Sequence, residues 1–389
     1  MITKIYGGKV ITDRKIEEKN VYFKDGKILA VTDAELAYDE GIDAKGMYVA
    51  PAFVDIHTHG AAGHDFLDNT EAAYFAIAKA HAQHGAGTIL PTITSAGRQR
   101  TLDCIKTFES IRGKAHDGAN MPGLHLEGPY FSPAQAGAQD PDKIRSFDAE
   151  EYMEILNTSD AILRWTGAPE LEGSADFAKA LTERGVLPCI GHSDADGDAV
   201  KEAFKNGFTH VTHLYSATST IHRKNAYRHI GIVECAYLLD DMTVEIIADG
   251  KHLPADLLKF IVKFKDIDKI CLITDSMRGA GMPEGTETIL GGKEDGLRCI
   301  IDDSVAKLPD CSVFAGSVSY CDRLVRTMIN LAEVPIEDAV YMLTQTPASF
   351  VHLDTKGRLA EGMDADITIF DANINIAKTI VDGRIVYEV

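Results

Sequence analysis

The feature of this 389-residue chain that most constrains its fold is a series of short apolar runs, each followed at once by a histidine or a carboxylate. A buried strand that finishes in such a side chain is how a (β/α)8 barrel builds its active site, because the C-terminal strand ends supply the functional groups. Imidazole and carboxylate together suit a divalent cation. The sequence therefore predicts a metal-dependent barrel enzyme. The six candidate ligands are His57, His59, Glu127, His192, His213 and Asp275.

The middle of the chain alternates strand and helix patterns, which is typical of a parallel barrel. Helical patterns such as Thr70 to His84 and Ala255 to Lys265 separate the strand patterns. Residues 276–320 form a long Gly-rich stretch, and helices beginning near Tyr320 and Pro335 then close the barrel. The eight predicted barrel strands are 53–57, 87–92, 123–127, 162–167, 187–192, 208–213, 243–248 and 270–275.

Both ends of the chain are rich in short strand patterns separated by turns. Lys24-Asp-Gly-Lys27 lies between two apolar runs and predicts a hairpin. The C-terminal segment repeats the pattern from Ala365 to Phe370 and again after the Asp-Gly turn near its end. We predict that residues 1–52 and 355–389 together form one small β-sandwich beside a barrel of residues 53–354.

Composition and charge narrow the class of protein. The formal net charge of −20 argues against a general nucleic-acid or anionic-membrane binder, because both functions need a basic surface. No apolar run approaches the roughly 18 residues of a membrane span, and the N-terminus begins a strand without the apolar core of a signal peptide. The seven cysteines are scattered and form no Cys-x-x-Cys pair, which favours reduced thiols. We expect a cytoplasmic protein that binds neither nucleic acid nor membrane.

Alternation along the strands indicates which candidate ligands share a face. His57 and His59 stand two residues apart, so both side chains leave the same side of one strand. Glu127 ends an otherwise apolar strand, where a carboxylate is costly unless it is paired or metal-bound. The alternative interpretations are a capping role for this carboxylate and hydrogen-bonded core roles for single buried histidines. By alternation, His210 is predicted to face the helix layer and to be structural.

The order of the motifs is more specific than any one of them. They are His57-Thr-His59, Leu126-Glu127-Gly-Pro-Tyr, Gly191-His192-Ser, Thr212-His213-Leu-Tyr, Ala248-Asp-Gly-Lys-His252, Thr274-Asp275, Ala315-Gly-Ser317 and the run from Gly357 to Ile367. Together they resemble the amidohydrolase superfamily and, within it, are similar to the N-acetylglucosamine-6-phosphate deacetylases. The resemblance covers nearly the whole chain.

The resemblance implies which residues hold the metal. Glu127, His192 and His213 would form the main ligand set, and the presence of His57 and His59 leaves room for a second ion bridged through Glu127. Other amidohydrolases bridge two metals with a modified lysine on the fourth strand, but this chain has no lysine there. We expect one or two divalent ions per subunit, with Zn²⁺ first and Fe²⁺, Mn²⁺ or Co²⁺ as alternatives.

The implied reaction converts N-acetylglucosamine 6-phosphate into glucosamine 6-phosphate and acetate. A bound divalent ion lowers the pKa of its water towards about 7, which provides hydroxide at neutral pH. We hypothesise that this hydroxide attacks the acetamide carbonyl. Asp275 would accept the proton of the water and deliver it to the departing amine, which is too basic to leave as an anion.

Several residues are predicted to bind the substrate. The resemblance implies backbone N–H groups near Ala217 and Thr218 on the phosphate. It also implies that Arg223 reaches the site of a neighbouring subunit, and hence a homodimer. His252 is a candidate contact for sugar hydroxyls or phosphate. The other predicted substrate-binding residues are Gln139, Ser216, Arg228 and Ser317.

Three departures from the family pattern leave the exact substrate open. Ser216-Ala217-Thr218 stands where Asn-Ala-Met is common, and the stretch from Arg223 to Gly231 is longer than the usual Arg-Glu-Pro-Gly. Gln139 replaces a histidine that helps to polarise the carbonyl. The alternatives are deacetylation of N-acetylgalactosamine 6-phosphate, hydrolysis of an N-acyl amino acid or cyclic amide, and a catalytically inactive barrel kept for assembly.

Overall fold

The computed structural model describes all residues from Met1 to Val389, and its centre is a barrel of eight parallel strands. The strands pair in chain order, and the backbone N–H of Asp275 donates to the carbonyl of His57 at 2.9 Å, which joins the last strand to the first. The predicted (β/α)8 barrel is confirmed. Its strands are β1 (Phe53–Thr58), β2 (Ala86–Ile93), β3 (Leu124–Glu127), β4 (Ile162–Gly167), β5 (Leu187–Ile190), β6 (His210–Val211), β7 (Thr243–Ile247) and β8 (Ile270–Ile273).

Helices surround the barrel and bury their apolar faces against it. Phe177, on a helix, packs edge-on against Trp165 of β4 with ring centroids 5.2 Å apart. None of the helices combines the length and the apolar character that crossing a bilayer requires. The helices are α1 (Glu71–Ala82), α2 (Arg98–Ile111), α3 (Ala149–Thr158), α4 (Ser174–Thr182), α5 (Gly197–Lys205), α6 (Ile232–Leu238), α7 (Ala255–Phe264), α8 (Cys321–Asn330), α9 (Ile336–Met342) and α10 (Gln345–Phe350), with 3-10 helices at Phe66–Asp68, Pro133–Gln135 and Ile267–Lys269.

The two ends of the chain meet in a small β-sandwich, as predicted. One sheet contains the strands Lys27–Thr32, Asn20–Lys24, Thr3–Tyr6 and Glu40–Asp43 in that order. The other contains Arg384–Glu388, Ile376–Val381, Ile367–Phe370, Tyr48–Pro51, Lys9–Thr12 and Lys15–Glu17. Ile5 and Val21 from the first sheet share a buried apolar cluster with Val49 and Ile369 from the second. This cluster is separate from the main core between barrel strands and helices.

The Gly-rich stretch of residues 276–320 contains an antiparallel sheet, which we call the cover. Its strands are Glu287–Leu290, Leu297–Asp302, Val305–Lys307 and Phe314–Ser317. The N–H of Ser317 donates to the carbonyl of Asp275 at 2.8 Å, so the last cover strand is fixed beside the end of β8. Three of the four strands span only three or four residues, which are too few for apolar alternation to reveal them.

Two further predictions meet different outcomes. All seven cysteines are free thiols, and only Cys311 is exposed, as expected for reduced cysteines. The prediction that His210 faces the helix layer is wrong. Its Nε2 lies 3.3 Å from Oε1 of Glu245, and the Glu245 carboxylate also contacts His57 and Arg164 inside the barrel. β6 spans only two residues, so strict alternation cannot be extended along it from His213. His210 is nevertheless a buried core residue.

Candidate metal centre

The six candidate ligands converge at one mouth of the barrel. They form two adjoining groups, each with its ligand atoms within 4.8 Å of one another: His57, His59 and Asp275 in one, and Glu127, His192 and His213 in the other. Glu127 lies between the groups. Its Oε1 is 2.9 Å from Nε2 of His213 and 3.2 Å from Nε2 of His192, and its Oε2 is 3.3 Å from Nε2 of His59.

Three of these residues adopt a backbone conformation that non-glycine residues usually avoid. The φ angles of His192, His213 and Asp275 are 47°, 31° and 45°. Each residue follows its strand by two positions, so it lies on the turn after the strand and not at the last position of the strand. Left-handed conformations of this kind cost on the order of 1–3 kcal/mol each and cluster at functional sites. The surrounding fold therefore holds these side chains over the barrel mouth at some expense in stability.

Hydrogen bonds at Nδ1 leave Nε2 of three histidines available as a ligand. Nδ1 of His192 lies 3.0 Å from the carbonyl of Gln135, and Nδ1 of His213 lies 3.1 Å from the carbonyl of Ser216. A carbonyl only accepts, so each Nδ1 carries the hydrogen and Nε2 keeps its lone pair. Nδ1 of His57 lies 3.1 Å from a carboxylate oxygen of Glu245, whereas Nδ1 of His59 is buried without a partner.

The electrostatics of the centre favour ionised carboxylates. Burial opposes ionisation of Glu127, but His192 and His213 outweigh it and hold the pKa of Glu127 well below its usual range. Burial also opposes ionisation of Asp275, yet His57 and His59 lower its pKa. Burial lowers the pKa of His57, which keeps this ring neutral. Burial acts in the same direction on His59 and His213, but Asp275 and Glu127 outweigh it and raise the pKa of His59, and Glu127 raises the pKa of His213. A metal cation binds ionised carboxylates and neutral imidazoles, so it would displace the extra protons of these two rings.

A cavity of about 200 Å³ opens above the two groups. Gln139 lines it, and the orientation of its amide is fixed because its Oε1 accepts from Thr94 Oγ1 at 2.8 Å and from Ser95 N at 3.2 Å. The amide nitrogen of Gln139 consequently points to the centre and donates to Oε2 of Glu127 at 2.8 Å. From the cover, Phe314 borders the cavity.

The predicted substrate-binding residues divide into three groups in the structure. Gln139, Ser216, Ala217 and His252 line the cavity. Thr218 pairs with Ser193 beside it, and the Ser317 hydroxyl donates to the carbonyl of Thr274 at 2.5 Å and does not line the cavity. Arg223 and Arg228 face each other across an exposed hairpin of His222–Lys224 and Tyr227–His229, outside the cavity of the same subunit.

The structure also places three residues at the site that the sequence analysis did not select. Asp249 accepts from Nδ1 of His252 at 2.8 Å and so fixes that ring at the cavity wall. Glu245 and Arg164 pair beneath His57. The sequence did contain one indication of Glu245, because this charged residue interrupts an apolar strand pattern between Val244 and two isoleucines.

A closed barrel whose mouth gathers histidines and carboxylates in two adjoining groups defines a metal-dependent enzyme, because neutral imidazole and carboxylate are the donors that divalent zinc-like ions prefer. The chain belongs to the Amidohydrolase family, which it matches over residues 48–386. It is accordingly an amide hydrolase of a superfamily that depends on divalent metal ions.

Several named relatives are similar to the chain over nearly its full length. An N-acetylglucosamine-6-phosphate deacetylase of Lysinibacillus sphaericus is 33% identical over 380 residues, which cover 95% of this chain and 93% of the relative. An N-acetylgalactosamine-6-phosphate deacetylase of Escherichia coli O157:H7 is 29% identical, with 95% of each chain covered.

Solved structures show the same architecture. An N-acetyl-D-glucosamine-6-phosphate deacetylase mutant of Mycobacterium smegmatis, in complex with N-acetyl-D-glucosamine-6-phosphate, superposes with a TM-score of 0.89 at 25% identity over 99% of both chains. An N-acetylglucosamine-6-phosphate deacetylase of Thermotoga maritima gives 0.87 at 27% identity over the whole of both chains.

Proposed function

We propose that this protein hydrolyses the acetamide of N-acetylglucosamine 6-phosphate and releases glucosamine 6-phosphate and acetate. The observation that carries the proposal is the pair of ligand groups around Glu127 at the base of the cavity. The relatives that act on N-acetyl sugar phosphates, at 33% and 29% identity over nearly full length, support the choice of substrate class.

The donor set fits one or two divalent ions. Glu127, His192 and His213 would hold the first, and His57, His59 and Asp275 would hold the second, with Glu127 between them. We propose Zn²⁺ as the ion, because histidine nitrogen and carboxylate oxygen are typical zinc donors. When bound, such an ion polarises a carbonyl and lowers the pKa of water towards about 7.

Asp275 is the proposed proton carrier. Its carboxyl lines the cavity, its Oδ1 lies 3.3 Å from Nε2 of His59, and its depressed pKa keeps it ionised and able to accept a proton. It takes the proton of the attacking water and later delivers that proton to the sugar nitrogen as the C–N bond breaks. The amine thus leaves neutral, and the second hydrogen of the water is lost to solvent as the acetic acid product ionises to acetate.

Gln139 is the proposed donor to the acetamide oxygen. One hydrogen of its amide nitrogen is used by Glu127, and the residue lines the cavity, so the second hydrogen is available there. Thr94 and the Ser95 N–H hold the amide in this orientation. A fixed, neutral donor aimed at the developing oxyanion stabilises the tetrahedral state.

The phosphate is proposed to bind at the turn after His213. The N–H groups of Ala217 and Thr218 make no hydrogen bond within the protein, and Ala217 has a φ of 47°. Successive free N–H groups at such a turn form an anion-binding concavity. Ser216 and His252 border the same cavity and would contact the sugar phosphate from two sides.

We also propose a homodimer in which the exposed hairpin completes the neighbouring site. Arg223 and Arg228 lie directly opposite each other, and neither has a carboxylate partner within the subunit. Two like charges in this position repel each other. The phosphate of a substrate bound in the cavity of a second subunit would neutralise them.

The testing experiment measures acetate release by the zinc-loaded protein from N-acetylglucosamine 6-phosphate, with the unphosphorylated sugar and N-acetylgalactosamine 6-phosphate beside it. Turnover of N-acetylglucosamine 6-phosphate well above the unphosphorylated sugar supports the proposal. A strong preference for N-acetylgalactosamine 6-phosphate would instead identify that sugar as the substrate. The similarity to the relative from Escherichia coli makes it the specific second candidate. Turnover of N-acyl amino acids alone would contradict both.

A further inference from the structure

Beneath the metal centre, Arg164 and Glu245 form an ion pair in which both side chains are fully buried. We propose that Glu245 is a positioning residue for His57, and that it strengthens binding of an ion by the group of His57, His59 and Asp275 selectively. This inference rests on the metal centre proposed above. It concerns the second of the two ligand groups and not the existence of the first.

The two oxygens of Glu245 have different partners. Oε1 accepts from Nη1 of Arg164 in a short ion pair, and Oε2 lies 3.1 Å from Nδ1 of His57 and 3.3 Å from the N–H of His213. A carboxylate oxygen paired with a permanent cation accepts and does not donate. Nδ1 of His57 therefore carries the hydrogen, and Nε2 points towards the other ligands.

Arg164 is built into the barrel as the counter-charge. Its guanidinium also donates to the carbonyl of Ile56 at 3.3 Å and to Oγ1 of Thr212 at 3.2 Å. A buried carboxylate without such a partner would be strongly destabilising. The pair thus allows a negative charge to sit behind His57 in the interior of the barrel.

The four candidate histidine ligands differ in what they meet at Nδ1. His192 and His213 meet neutral backbone carbonyls, His59 meets nothing, and His57 alone meets a carboxylate. A carboxylate behind a ligating imidazole fixes the orientation of the ring and raises its basicity as a donor, and its loss typically costs 10- to 100-fold in metal affinity. Glu245 contacts the other group only at the backbone N–H of His213, which is not a ligand atom. Its loss should therefore weaken the group of His57 far more than the group of His213.

The test is a Zn²⁺ titration of the metal-free protein in competition with a chromophoric chelator, for the wild type and for Glu245→Gln. We expect two ions in the wild type and an affinity for one of them that falls by roughly 10- to 100-fold in the variant. The double variant Arg164→Met with Glu245→Gln removes both buried charges and repeats the test without an unpaired arginine. Glu151→Gln breaks another Arg–Glu pair outside the ligand groups, in which the carboxylate is buried and Arg145 is partly exposed. It is the control and should leave both affinities unchanged.

The origin of the loss is tested in a His57→Asn background. There Glu245→Gln should cause no further loss of affinity, because the ring on which it acts is gone. A further loss in this background, equal loss of both ions, or two ions bound with unchanged affinity would each overturn the inference. A wild type that takes up one ion also overturns it but leaves the proposed function standing. A wild type that binds none contradicts the proposed function itself.

Discussion

At the scale of single residues, Asp275 combines several constraints in one side chain. It has a left-handed backbone, it lies within reach of His57 and His59, and its carboxyl faces the cavity. This arrangement costs free energy, and no apolar contact of the side chain compensates for the cost. A residue with only a packing role would not need it. The position is understandable if the carboxylate handles a proton next to the scissile amide.

Replacement of Asp275 by asparagine tests this role. The amide has nearly the same shape but cannot accept the proton, so we expect acetate release to slow by about 10²- to 10⁴-fold. Zinc should remain on Glu127, His192 and His213, which metal analysis of the purified variant would check. Asp310→Asn, on an exposed turn of the cover, is the control and should retain full activity. Near-normal turnover by a zinc-loaded Asp275→Asn protein would rule out the assignment.

At the scale of elements, the hairpin of His222–Lys224 and Tyr227–His229 differs from the rest of the surface. It presents cationic side chains on a chain of net charge −20, and Tyr227 at its turn is 76% exposed. No salt bridge within the subunit restrains Arg223 or Arg228. This charge is what the proposed contact with the phosphate site of a second subunit would require.

Arg223→Ala measures what the hairpin contributes. We expect KM for the phosphorylated sugar to rise by about 10- to 100-fold, because a hydrogen bond to a charged group contributes roughly 1.5–3 kcal/mol. The rate constant kcat should change little, since the phosphate is remote from the amide. Lys224→Ala, on the opposite face of the same strand, serves as control. An unchanged KM in Arg223→Ala would show that the hairpin does not bind the substrate.

At the scale of the whole molecule, Lys356, in the segment that follows the barrel, helps to hold the two ends of the chain together in the sandwich. Its ammonium lies 2.7 Å from Asp366 and 3.1 Å from Asp364, and Asp364 also contacts Lys27 near the N-terminus at 2.5 Å. Burial raises the pKa of Asp366, and Lys356 opposes that effect. The side chains of Lys356 and Asp366 are both almost fully buried, so removal of either one would leave the other as an unpaired buried charge.

Lys356→Met should lower the free energy of unfolding by about 3–5 kcal/mol, because it leaves Asp366 buried and unpaired. Without the lysine, the pKa of Asp366 in the folded state rises further above its unfolded value. Protonation then favours the folded state, so the deficit relative to wild type should shrink as the pH falls through that pKa. Urea unfolding at several pH values measures this. Lys19→Met, at a partly exposed pair with Glu17, should cost less than about 1 kcal/mol.

The sequence predicted the site best where a polar or ionisable side chain interrupts or ends a run of buried apolar residues. Glu127, His192 and His213 stand at or just beyond the ends of apolar runs, and such a pattern identifies both the strands and the mouth where they converge. The sandwich was predictable for a similar reason, since turn signals separate short alternating runs at both ends of the chain. These features depend on local patterns that a single sequence displays.

Other features depend on contacts between distant segments and were not predictable. The cover has short strands whose pairing is visible only in the three-dimensional structure. The left-handed conformations of His192 and His213 follow from the packing of the turns, not from residue type. The role of Glu245 can be inferred only from its contacts with Arg164 and His57, which lie on other strands. His210 was misplaced because a strand of two residues provides no reliable alternation.

The sheet shared by both ends of the chain has a consequence for synthesis on the ribosome. Strand Tyr48–Pro51 is translated long before its antiparallel partner, Ile367–Phe370. Until then the nascent chain carries an open β-edge with unpaired N–H and C=O groups, which is a template for association with other chains. Translation speed and chaperone supply should therefore influence the yield of this protein more than its final stability would indicate.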